Sequence, residues 1–366
     1  MKFSVSSGDL LKRLQSISGA VSSNPILPIM EDFLFDIKSD KLTISATDLD
    51  TSMTTEIDVL SEGDLSTCIP AKMLIDVLKG LPSQPITISV GERNLITITS
   101  KNGKYKLAGE NSSDFPSIAQ RSESALLEMP ATELSSIISR TIWATGNDEL
   151  RQAMTGVYFD ISSKDVCFAS TDAHKLTRYI SSEHKSEKDA NFIVPKKALH
   201  LLKNALSDGQ VKIYFSDKSV FFETANIKLV SRLIDAKYPD YNAVIPAEGS
   251  DSLYIIVDRK ELLDAVKRVS IFANKTTNGI VFNSTASGLT ITAEDFDFAN
   301  EAAEVVSCEK SDEIRIGFNA KFMIEALSVL SDTSVTIRLS TPTRPAVLYE
   351  TNTKTDYMVL LMPIMI

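Results

Sequence analysis

Asp48-Leu-Asp50 and Asp295-Phe-Asp297 each set two carboxylates one residue apart, a spacing that suits a divalent cation, and Asp172-Ala-His174 puts an imidazole in the second slot. With neighbouring serines, the last trio carries the residue types of a hydrolase. Hard cations need about six or more oxygen ligands, and two carboxylates in a polar turn supply only part of that shell. A metal-dependent hydrolase using the Asp-x-Asp turns is therefore one reading, and a solvated turn is the other. His174, His184 and His200 form no HExxH pair, and there is no GxSxG or phosphate-loop pattern. No catalytic residue, metal site or cofactor is assigned. Cys68, Cys167 and Cys308 lie about a hundred or more residues apart beside apolar runs, with no CxxC pair, and read as reduced, buried thiols.

The elements that carry these turns repeat. Leu42-Thr-Ile-Ser-Ala-Thr-Asp-Leu-Asp50, Val166-Cys-Phe-Ala-Ser-Thr-Asp-Ala-His174 and Leu289-Thr-Ile-Thr-Ala-Glu-Asp-Phe-Asp297 are each an alternating strand running into an acidic turn, at intervals of 124 and 123 residues. Lys72, Lys197 and Lys321 open helix-like patterns at intervals of 125 and 124. Upstream, Leu10, Leu14 and Ile17 in one copy and Leu262, Val266 and Val269 in another fall at helical spacing. Pro70 and Pro195 stand just before the second helical pattern, where a missing backbone donor is harmless. Each copy reads as strand, helix, several strands, helix, several strands.

A period this long is no solenoid unit, because each copy is large enough to bury its own core. The fold class is α+β, three tandem domains of two helices on antiparallel sheets. Their expected bounds are 1–125, 126–249 and 250–366, with linkers at 120–125 and 247–252. The 366 residues are 43% hydrophobic and 23% charged, an ordinary globular balance. No apolar run approaches the roughly 20 residues of a membrane span, and the first residues lack a secretory stretch, so a cytoplasmic protein without a membrane partner is expected. The net charge of −10 leaves nucleic acid open, since phosphate affinity depends on where Lys and Arg gather.

Several strings occur in a telling order: Met1-Lys-Phe, Pro25-Ile-Leu-Pro28, the two turns ATD and STDAH, Asp114-Phe-Pro116, Tyr238-Pro-Asp-Tyr241, Gly317-Phe-Asn319 and Met362-Pro363. With the threefold repeat, the whole chain resembles the bacterial DNA polymerase III beta-subunit family, the replicative sliding clamps. The resemblance implies a head-to-tail homodimer whose six domains close a ring around double-stranded DNA without sequence specificity, as a processivity factor with no catalysis of its own. Its implied interface is Lys104 and Tyr105 against Ile271, Phe272, Glu301 and Glu304.

A clamp needs a basic inner face. The candidates on the repeated helices are Lys12, Arg13, Lys72, Lys79, Arg140, Lys197, Lys203, Lys267, Arg268 and Lys321, with a solvated helix face as the alternative for each. Phosphate contacts carry no sequence information, so such a ring can slide. At the rim, 22–24 and 147–153, the family places basic or aromatic groups where this chain has Asn24, Arg151, Gln152 and Ala153, and weaker DNA contact is expected there.

His174 has no counterpart in the other copies, which carry Asp50 and Asp297, so the fold does not require it. The resemblance implies a groove there for short peptides of the polymerase III alpha subunit, the clamp loader and other clamp-binding-motif proteins. Its implied residues are Met154, Thr171, Asp172, Ala173, His174, Lys175, Leu176, Pro239, Ala243, Val244, Phe322, Leu360, Met362, Pro363 and Ile364. The segment 358–361 also reads as a final core strand. Ala173 replaces a common glycine, Lys175 a common arginine, Ala243 a basic residue and Met365 a penultimate arginine, so a more apolar pocket with altered peptide preference is expected. A monomeric peptide-binding adaptor is a further alternative.

Overall fold

The computed structural model describes residues 1–121, 126–352 and 356–366, so part of the expected first linker, 122–125, lies outside them. Six α-helices occur among the described residues: α1 (Ser7–Ile17), α2 (Ala71–Lys79), α3 (Ala131–Thr141), α4 (Lys196–Ala205), α5 (Arg259–Val269) and α6 (Ala320–Val329). They come two to a repeat, between antiparallel strands, as the periodicity requires. None is long and apolar enough to cross a membrane.

Local chemistry sets the helix starts. The Ser6 side chain accepts from the Asp9 amide ahead of α1, Asp258 from the Glu261 amide at 2.7 Å ahead of α5, and Asn319 from the Lys321 and Phe322 amides ahead of α6. Each satisfies donors that the first helical turn leaves without partners. Leu10, Leu14 and Ile17 of α1, and Leu262, Val266 and Val269 of α5, are buried, one apolar face per helix.

By contact density the chain forms two compact units, Met1–Ser135 with Lys197–Leu233, and Ser136–Lys196 with Ile234–Ile366. The first holds a five-stranded and an eight-stranded sheet, the second a nine-stranded and a four-stranded sheet. This division cuts through the middle repeat, because sheets run across repeat boundaries. In the first unit, strand Ile227–Arg232 pairs with Thr51–Asp58, setting Leu229 opposite Met53. In the second, Lys175–Ser181 pairs with Asp356–Leu361, setting Leu176 opposite Leu360. An edge strand left bare would invite pairing with another chain, and these joints cover four such edges. Tyr357 to Leu361 are buried, so the final strand belongs to the core. Cys68 and Cys167 are buried, and burial pushes their thiols up to about 12 and about 11. Cys308, expected to be buried, is only half-buried.

Candidate functional site

The acidic turns solve one backbone problem in one way. Asp48 Oδ1 accepts from the Asp50 and Thr51 amides at 3.1 and 2.7 Å, Asp172 Oδ1 from the His174 and Lys175 amides at 2.9 Å each, and Asp295 Oδ1 from the Asp297 amide at 3.2 Å. The first carboxylate of each turn is thus a cap for its own loop. Its second oxygen in the first turn pairs with Lys197. Among the described residues no group of three or more His, Cys, Asp or Glu is disposed to hold a metal ion.

In the second unit the turn 171–176 forms one wall of a cleft of about 190 Å³. Thr171 Oγ1 donates to the Lys175 carbonyl at 2.7 Å and accepts from the Ala173 amide at 3.1 Å, which holds Ala173 at φ 77°. The pairing of Leu176 with Leu360 brings the end of the chain alongside, and the Met362 amide donates to the His174 carbonyl at 2.9 Å. Pro239, Asp240, Tyr241 and Val244 also line the cleft, with Met154 and Leu360 completing the lining. Tyr238 stacks on Tyr158 at 4.7 Å, and the Tyr241 hydroxyl meets Cys167 Sγ at 3.3 Å. Burial pushes both phenols well above their usual range. Val244 and Met362 are 50% and 38% exposed, so the cleft offers apolar surface to a ligand.

Behind the turn, Lys175 is buried. Its ammonium lies 2.6 Å from Glu325 and over the rings of Trp143 and Phe322, at 4.8 and 5.0 Å. Phe322 in turn stacks against His174 at 6.2 Å. Of the expected groove residues, Met154, Thr171, Ala173, His174, Lys175, Leu176, Pro239, Val244, Leu360 and Met362 line the cleft. Asp172, Ala243, Phe322, Pro363 and Ile364 do not. Phe322 supports His174 from behind, Asp172 fixes the turn, and Ile364 bonds to Gly317 and borders a separate hollow with Phe296. Asp240 and Tyr241 line it unforeseen, although Tyr238-Pro-Asp-Tyr241 had marked their segment.

The candidate DNA contacts divide by what holds them. Lys72 on α2, Lys267 on α5, Lys321 on α6 and Asn24 in its loop are exposed, Lys203 on α4 is half-buried, and Lys197 and Arg151 remain largely exposed while pairing with Asp48 and Asp148. Arg268 is engaged by Glu304, one of the expected interface acids. Arg140 departs from the expectation. Its guanidinium grips Glu350 through two hydrogen bonds of 3.3 and 3.2 Å, reaches Ser331 at 2.7 Å and lies over Tyr357, so it is committed to the interior.

Two strand edges complete the set. Lys104–Ala108 ends the five-stranded sheet and Asn300–Val306 ends the four-stranded one. Lys104 and Lys106 are exposed on the first, Glu301 is exposed on the second, and Ile271 and Phe272 are exposed just after α5. Lys106 was not foreseen.

Three family models cover nearly the whole chain: DNA polymerase III beta subunit, N-terminal domain at residues 1–119, central domain at 128–240 and C-terminal domain at 242–365. The beta sliding clamp of Bacillus subtilis is 27% identical over 376 residues, covering 99% of each chain, and that of Pseudomonas putida 28% over 369 residues, covering 98% of this chain and 99% of its own. Among solved structures, the DNA polymerase sliding clamp of B. subtilis matches with a TM-score of 0.95 at 25% identity over 100% of this chain and 99% of its own. The sliding clamp of Pseudomonas aeruginosa bound to griselimycin matches with a TM-score of 0.92 at 26% identity over 100% of both.

Proposed function

We propose, for a chain that belongs to the DNA polymerase III beta-subunit family, that two copies close head to tail into a sliding clamp around duplex DNA. In this reading it is a processivity factor, not itself a catalyst, built of three domains, 1–125, 126–249 and 250–366, and working in the cytoplasm. The observation that carries ring closure is the pair of open edges with opposite charge, Lys104–Ala108 bearing exposed lysines and Asn300–Val306 bearing glutamates. Joining them between copies would cover both edges and repeat from chain to chain until the ring shuts.

Exposed Lys72, Lys267 and Lys321 supply sequence-independent attraction to phosphate, and enclosure supplies retention. The cleft at His174 and Met362 takes short apolar peptide motifs of the polymerase and of other replication partners. Its exposed apolar walls support this, and affinities near micromolar, about 8 kcal/mol, would let partners exchange. The test is retention on DNA. Protein loaded on a closed circle should stay through a salt wash and leave when the circle is cut, and equal loss from both substrates would reject enclosure.

A further inference from the structure

The walls of the peptide cleft are apolar, but the charges that reach it are unbalanced. Among the described residues Lys175 is the one lysine or arginine in its lining, and its ammonium is turned inward, held by Glu325 and covered by two aromatic rings. Asp240 is exposed and makes no capping bond to the short helical turn Tyr241–Val244 that it precedes. Asp172 commits Oδ1 to two amides of the turn. Glu325 remains 46% exposed beside the lysine it neutralises. Asp240 is thus the carboxylate in the lining itself, with Asp172 and Glu325 bonded to the turn and to Lys175 just outside it, and the ammonium of Lys175 is already paired. Position 243, on the same turn as Val244, is an uncharged alanine. Arg151, the nearest cation in sequence to Met154, pairs with Asp148 at 2.9 Å.

We infer that this cleft selects peptides that carry a lysine or arginine beside their apolar anchors, with Asp240 as the group that meets the cation. The inference rests on the peptide-binding reading above and narrows it to one class of partner sequence. An exposed ion pair of this kind contributes modestly, so the expected preference is about fivefold, and salt should erode it. Apolar burial would still carry most of the affinity.

The test uses the intact chain and two labelled hexapeptides with the same leucine and phenylalanine anchors, one flanked by lysines and the other by glutamates, titrated by fluorescence anisotropy at low and high salt. The expected result is tighter binding of the lysine peptide, a margin that shrinks with salt, and loss of the margin in Asp240→Asn with the glutamate peptide gaining. Equal affinities, tighter binding of the glutamate peptide, or a margin unchanged in Asp240→Asn would overturn the inference while leaving the cleft reading in place. If neither peptide binds, or Met362→Ala alters neither, the cleft reading falls and takes the inference with it.

Discussion

The ammonium of Lys175 lies 2.6 Å from Glu325 Oε2, and this pair ties the strand that follows the His174 turn to helix α6. Lys175 is 6% exposed, so removing its partner leaves a buried ammonium facing the rings of Trp143 and Phe322 with no ion pair. Glu325→Gln is expected to lower stability by about 1–3 kcal/mol, less than a fully buried pair because Glu325 itself meets water. The support of Phe322 and His174 should loosen with it, weakening peptide binding several-fold. Urea unfolding and peptide titration check both effects, and wild-type values in both would show that the pair is incidental.

Ala173 sits at φ 77°, in the left-handed region where a Cβ crowds the backbone, and its hydrogen bond to Thr171 keeps it there. Ala173→Gly should raise stability by about 1 kcal/mol, the relief of strain outweighing the added freedom of the unfolded chain. Thermal unfolding should show a higher midpoint. A lower one would mean that the alanine methyl contributes packing that exceeds its strain.

Asp32 begins the strand Asp32–Lys38 with one carboxylate oxygen lacking any hydrogen-bond partner. Burial, then the nearby Glu110 and Glu31, push its carboxyl up to about 7. A carboxyl raised in the folded state binds its proton more tightly there than when unfolded, so its contribution is complete below the ordinary value of 3.8 and is lost as pH rises through about 7. Asp32→Asn, uncharged throughout, should be more stable than wild type above that pH by roughly 2 kcal/mol and equal to it near pH 4. Denaturant titrations across this range measure the gap, and parallel curves for the two proteins would exclude the assignment.

Lys106 and Glu301 are exposed on the two open strand edges. Lys106→Glu should weaken self-association by about tenfold, and adding Glu301→Lys should restore most of it. Glu304, already engaged by Arg268 in its own chain, should matter less. Sedimentation equilibrium gives the dissociation constants. No rescue in the double variant would show that these edges do not meet.

What was legible in the sequence is what neighbours in sequence decide. Leu10, Leu14 and Ile17 lie on one helical face because their spacing puts them there, and all three are buried. His174 was legible because it breaks a pattern that Asp50 and Asp297 keep, and it does line a cleft. Contacts between distant segments were not. Nothing near Met53 announces Leu229 as its partner across the shared sheet. Asp240 was visible only as part of a landmark string, since its exposure depends on a turn that leaves its carboxylate without a cap.

Arg140 shows the same limit with a measurable consequence. In sequence it is a cation in the last turn of α3, on an element repeated in every copy, and it reads as a DNA contact. In the fold, Glu350, 210 positions away, draws it inward, and the glutamate is itself 1% exposed. Two variants separate these roles. Arg140→Ala should cost about 3 kcal/mol, because it strands a buried carboxylate that two further bonds from Ser331 only partly satisfy. It should leave the salt dependence of DNA binding unchanged under conditions where the variant is folded. Lys321→Ala, on an exposed position of α6, should do the opposite, leaving stability within about 0.5 kcal/mol and flattening the slope of log affinity against log salt by at most about 0.9 per copy, about 1.8 for a ring of two. Exchanged outcomes, with Arg140→Ala flattening the slope and Lys321→Ala unfolding the protein, would return Arg140 to the DNA-facing set and show that its ion pair with Glu350 opens in solution.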